Sequence, residues 1–87
     1  MLHLGGGHTI PAQDVVMIAD WEATTDSPET RDFLQVAKEE GFVIDYTQGE
    51  PSSFVITEEK IYYSMISSAT LRKRVNFMYD LGREENA

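Results

Sequence analysis

Apolar residues recur along this chain in two rhythms. Between Phe42 and Ser64 three short runs, Phe42–Tyr46, Phe54–Thr57 and Lys60–Ser64, are rich in β-branched and aromatic residues. Two polar breaks separate them, which is the composition and spacing of an antiparallel meander. The Glu58-Glu59 break is so short that it predicts a hairpin. The Thr47–Ser53 break holds Gly49 and Pro51 and predicts an exposed loop. Val15–Trp21 is the most apolar run. Its length suits a strand covered on both faces, and it is read as the central strand. Met1–Leu4 is read as an edge strand closed by the Gly5-Gly6-Gly7 turn, and Pro11, without an N–H, ends the extended stretch that follows.

The second rhythm is helical. Ser27-Pro28-Glu29 supplies a cap, a residue suited to the first helical position and an acid at the positive end of the dipole. The helix runs to Glu40 and stops at Gly41, with Phe33, Leu34, Val36 and Ala37 on one side and Arg31, Asp32, Gln35, Lys38 and Glu39 on the other. Ser67-Ser68 is a second cap signal. After it Leu71, Val75 and Met78 fall at i, i+4 and i+7, with Phe77 and Leu81 widening the stripe up to Gly82. This stripe either packs on the sheet or meets another subunit. Leu71, Val75 and Met78, with Trp21 at the end of its strand, are therefore the candidate oligomer interface. The pattern predicts an α+β fold: a mostly antiparallel sheet of about four to six short strands with two helices, over about 27–40 and 68–81. Residues 1–82 form one domain, and 83–87 are expected to be a frayed tail.

Composition narrows the setting. The chain has 87 residues and no cysteine, which rules out disulfides and thiolate metal sites and fits a reducing compartment. The N-terminal residues lack the basic and apolar regions of a signal peptide, and no apolar run is long enough to span a bilayer, so a cytoplasmic protein is expected. The net charge is −8, unevenly spread. Residues 1–60 carry twelve carboxylates against Arg31, Lys38 and Lys60, a balance of −9; residues 61–87 carry +1. Such an acidic body argues against nucleic-acid binding by the whole surface and leaves room for a local basic patch.

Candidate chemistry is sparse. The glycine run is not followed by a helix start, so it reads as a turn and not as a phosphate loop. His3, His8 and Asp14 match no common metal-ligand spacing, and neither metal nor cofactor is expected. Ser52-Ser53 has no partnered histidine, and no acid–base pair is fixed by motif, so an enzyme is not expected. The one basic cluster, Arg72-Lys73-Arg74, sits in a helix's first turn, where cations oppose the dipole, a placement that points to a compensating phosphate or acidic neighbour. These three residues are the candidate nucleic-acid contact.

The order of several segments is similar to that of the extracellular matrix regulatory protein family, closest to its RemB branch. They are the opening His-Leu-Gly-Gly, the strand Asp14–Asp20, the helix Thr30–Glu40, then Gly-Phe-Val-Ile-Asp, Ser-Phe-Val-Ile-Thr and Ser-x-Ile-Ser-Ser-x-Thr-Leu-x-Lys-Arg, together spanning Leu2 to Arg74. The resemblance implies a bacterial cytoplasmic regulator of biofilm matrix expression, acting as a homo-oligomer, with ring assembly carried over from the DNA-binding RemA branch. In that branch DNA contact is associated with adjacent arginines just after the exposed loop's glycine. Here Glu50 and Pro51 follow Gly49, so that site does not carry over. The expectation is thus a homo-oligomeric regulator with DNA contact moved to Arg72, Lys73 and Arg74. The alternative is a protein-interaction module or scaffold without direct nucleic-acid contact. No membrane and no small-molecule substrate is implied.

Overall fold

The computed structural model describes residues 1–86, with side chains through Met78. In chain order the elements are β1 (Leu2–Gly5), β2 (His8–Ile10), a 3-10 turn at Ala12–Asp14, β3 (Val15–Asp20), α1 (Trp21–Thr25) and α2 (Pro28–Glu39). They continue with β4 (Val43–Asp45), β5 (Ser53–Thr57), β6 (Ile61–Ser64) and α3 (Ser68–Asn86). β1 and β2 form a two-stranded hairpin, and the other four strands form one sheet in the order β3-β5-β6-β4. The α+β class read from the sequence is therefore the observed one.

Strand order departs from the meander in two places. β5 and β6 make the expected hairpin, with Ile56 opposite Ile61 and Ser53 opposite Ser64. β4, however, lies parallel to β6 and does not touch β5. The connecting loop of residues 46–52 is long enough to carry the chain past the end of β6, a span of about 10 Å for two strand spacings. It is laced to that end by Tyr46 N–H donating to the Tyr63 carbonyl (3.3 Å) and Ser52 N–H to the Ser64 carbonyl (2.8 Å). The second departure follows from the first. With β6 and β4 on one side of β5, β3 takes the other and becomes an edge strand, not the central one. Only Ile18 and Ala19, one on each face, are buried, so its apolarity overstated both its burial and its central place in the sheet.

Two cores flank the sheet. On one face Leu2, Leu4 and Ile10 of the hairpin and Leu71 of α3 close over Ile18 and Val55. On the other, Leu34 and Ala37 of α2 close over Ala19, Phe54, Ile61 and Tyr63, with Trp21 packed alongside. Two fully buried serines tie the layers together. Ser64 Oγ donates to the Leu4 carbonyl at 2.7 Å, and Ser53 Oγ donates to the Ile66 carbonyl at 2.7 Å. A serine buried without such a partner would forfeit about 1–3 kcal/mol.

Helix α2 starts as its sequence predicts, with Ser27 Oγ accepting from Thr30 N–H and Pro28 in the first turn. A short helix, α1, joins β3 to α2 as a third helix where two were expected, and it takes in Trp21, expected at the end of the strand. Asp20 caps it by accepting from Ala23 N–H at 2.8 Å, and the hydroxyls of Thr24 and Thr25 donate back to the carbonyls of Asp20 and Trp21. Helix α3 begins at its predicted cap, where Ser67 Oγ accepts from Thr70 N–H, and runs on past Gly82 to Asn86. Of the stretch expected as a tail, residues 83–86 are backbone of α3, and Ala87 lies outside the described residues.

Candidate functional site

The loop between β4 and β5 owes its shape to Asp45. One carboxylate oxygen accepts from both the N–H (2.7 Å) and the hydroxyl (2.5 Å) of Thr47, and the other accepts from Gly49 N–H at 3.2 Å. Gln48 and Gly49 take positive φ (57° and 90°), which the carboxylate clasp makes tolerable at the non-glycine position. Burial alone would raise the Asp45 pKa. The Thr47 hydroxyl and N–H, the Gly49 N–H and the charge of Lys38 more than offset it and hold the carboxyl below its ordinary value. A carboxyl with a lowered folded pKa binds fewer protons folded than unfolded. Its stabilisation is therefore complete above the unfolded pKa and disappears as pH falls through the folded one. Thermal melts of Asp45→Asn should accordingly lie below those of wild type at neutral pH, and the gap should close on acidification below about pH 4. A constant gap down to pH 2 would rule out this role for the carboxylate.

The basic start of α3 is partly committed to the fold. Arg72 Nη2 donates to the Ile18 carbonyl at 2.8 Å, on the outer edge of β3, and Arg74 Nη1 donates to the His3 carbonyl at 3.2 Å. These contacts explain how cations are accommodated at this end of a helix: they meet backbone carbonyls. All three residues of the cluster are exposed, and each guanidinium keeps further N–H donors beyond the one it spends.

The four residues expected at an oligomer interface are placed as follows. Leu71 is fully buried in its own chain, and Val75 and Met78 pack against the same core. Trp21 is half-buried, edge-on to Tyr63 (centroids 4.9 Å apart) and to Phe54 (6.1 Å). The structure leaves other apolar groups outside. Phe33 and Val36 of α2, expected on its inner side, are 51% and 55% exposed, because only Leu34 and Ala37 point at the sheet. Four apolar positions in five span more arc than one packing face can cover, and that width was the signal available in the sequence.

The exposed apolar surface is continuous with the sheet. Strand register aligns Met17, Ile56, Ile61 and Val43 in one row across all four strands, on the α2 side. Phe33, Phe42, Ile56 and Ile61 line a groove of about 250 Å³ over this row. The row ends at β3 with Met17, 45% exposed, whereas Val16, 65% exposed at the point where the register with β5 slips, lies on the other face beside Ile10 and Tyr62. An edge strand with a bulge and an arginine across one carbonyl is blunted against indiscriminate pairing, yet it keeps an apolar rim.

The two histidines do not converge on a metal. His8 stacks on Tyr46, with centroids 3.7 Å apart and planes within 4°, and Tyr46 continues the stack towards Tyr62. Among the described residues no three His, Cys, Asp or Glu side chains are grouped as metal ligands, and no helix is long and apolar enough to cross a membrane.

A small acidic α+β domain with a clasped loop, a basic helix start and an apolar strip reaching its sheet edge is, in class, a domain of contact surfaces. The chain belongs to the family of RemA-like proteins: the description "Extracellular matrix regulatory protein A-like" matches residues 1–75, from β1 into the second turn of α3 and including Arg72–Arg74. It is also similar to Extracellular matrix regulatory protein B of Bacillus subtilis (strain 168), at 39% identity over 80 residues that cover 92% of this chain and 95% of that one. The resemblance drawn from Leu2–Arg74 is thereby borne out.

Proposed function

We propose that this chain is a cytoplasmic bacterial regulator of extracellular matrix, and hence biofilm, gene expression that works as an assembly of its own copies and acts through protein contacts. The regulatory role follows the family relationship. The observation that carries the mode of action is the apolar strip from Phe33 and Phe42 to Met17, which reaches an edge strand in a chain of net charge −8. Like-charged copies repel at long range, so their association needs a local apolar contact, and this strip offers one.

DNA contact is the second reading. It is favoured by the exposed Arg72-Lys73-Arg74 start of α3 and weakened by Glu50 and Pro51 in the loop. Two of the three cations already serve backbone carbonyls, and three phosphate contacts give weak binding unless an assembly repeats them.

Sedimentation velocity of wild type and Met17→Lys tests the first reading. Lysine at an exposed edge position should leave stability within about 0.5 kcal/mol. Wild type is expected to sediment as a multiple of 9.8 kDa and the variant as the monomer. A monomeric wild type removes the proposal.

A further inference from the structure

Beside the clasped loop lies a cleft of about 380 Å³, walled by Trp21 and Thr25 of α1, by one face of α2, and by Asp45, Gly49, Pro51 and Tyr63. Its volume falls in the range of small-molecule pockets, roughly 300–1,000 Å³. The α2 face turned to it reads Arg31, Leu34, Gln35, Lys38, a spacing of i, i+3, i+4, i+7 that places all four on one side of the helix.

The charge is what sets this cleft apart. Residues 1–60 carry twelve carboxylates and three cations, and two of those cations line this one cleft. The one carboxylate among its walls, Asp45, is held on both oxygens by Thr47 and Gly49 and keeps its charge beside Lys38, so the cations still outnumber it. Arg31 spends one N–H on the Thr25 carbonyl at 3.1 Å, which fixes its stem and leaves other donors of its fork. Two aromatic rings share the lining, the half-buried Trp21 and the almost wholly buried Tyr63, edge to face at an interplanar angle of 67°. Aromatic surface and two cations in one cleft are complementary to a flat ring that carries a negative charge.

We propose that this cleft binds a small aromatic anion, a planar ring bearing a phosphate or a carboxylate, with Arg31 and Lys38 holding the anionic group and Trp21 and Tyr63 contacting the ring. The inference is independent of how the assembly or DNA readings fare, since none of the residues in the apolar strip's rim or the α3 cluster takes part.

Trp21 is the only tryptophan, so its indole N–H gives a single NMR cross-peak from within the cleft. The full chain, labelled with nitrogen-15, is titrated separately with adenosine 5′-monophosphate, 2-naphthoate, adenosine and inorganic phosphate. At least one of the first two should shift the Trp21 peak and the Gly49 amide saturably, with Kd below about 5 mM and at least about tenfold tighter than adenosine or phosphate alone. Which of the two binds tells phosphate from carboxylate. Arg31→Gln and Lys38→Gln, both at exposed positions and so expected to fold, should each weaken that binding at least about fivefold. Lys60→Gln, a cation that lies over Phe42 away from the cleft, should leave it unchanged. The proposal is overturned if neither anion saturates below about 5 mM. It is equally overturned if the anion adds nothing to the ring, or if Lys60→Gln weakens binding as much as the two cleft variants do.

Discussion

Phe54→Ala should lower the stability of the domain by about 3–5 kcal/mol, the usual cost of emptying an aromatic site in a core. Phe54 is 2% exposed and lies on β5, one of the two interior strands of the sheet. It belongs to the core shared with Ala19, Leu34, Ala37, Ile61 and Tyr63, and the ring of Trp21 meets it edge-on. Leu34 and Ala37 of α2 cover the site from outside. A domain of this length has about 5–10 kcal/mol in total, so the change would remove a large share. Each kcal/mol shifts the melting temperature by about 4–8 °C at this size, so a drop of more than about 10 °C is expected. Urea unfolding followed by circular dichroism measures it. A loss below about 1 kcal/mol would mean that Phe54 is not the packing centre described.

Leu71→Ala should cost about 2–5 kcal/mol, and the form of the loss matters more than its size. Leu71 is fully buried among Leu2, Leu4, Ile10, Ile18 and Val55, joining α3 to the hairpin and the sheet within one chain. Its loss should therefore appear as a drop in the unfolding midpoint relative to wild type that is the same at every protein concentration. A residue whose burial came from a neighbouring copy would behave differently: its midpoint would depend on protein concentration, and dilution would release folded monomer. Chemical denaturation at two protein concentrations at least about tenfold apart separates the two. A concentration-dependent loss would return the Leu71–Val75–Met78 stripe to the interface between copies.

Local chemistry made much of this fold legible. The caps at Ser27 and Ser67, the stop at Gly41 and the β5–β6 hairpin follow from residue types within a few positions of one another. The position of β4 does not. Whether Val43–Asp45 pairs with β5 or passes β6 depends on where residues 46–52 travel, and that path is fixed by bonds to Tyr63 and Ser64, far along the chain. The exposure of Phe33 and Val36 was hidden for a similar reason. An apolar side chain on a helix reads alike whether the neighbour that covers it belongs to the same chain or to another. The loop clasp was missed because Asp45 was counted as the end of a strand, although an aspartate two residues before a threonine and four before a glycine is the residue type that closes such turns. The role of Arg72 was also out of reach, since its partner carbonyl at Ile18 is an edge group only once β3 is known to be an edge.

Assembly through the apolar strip, and regulation through protein contacts, are tested together by the sedimentation run repeated with a fluorescently labelled DNA duplex at about 50 mM salt, where phosphate contacts are strongest. Wild type is expected to sediment as a multiple of 9.8 kDa while the labelled duplex sediments alone, and Met17→Lys to reduce the protein to monomer without changing the DNA trace. Labelled duplex moving with the protein, and released when Arg72, Lys73 and Arg74 are changed to alanine, would contradict it and assign the regulator's contact to the start of α3.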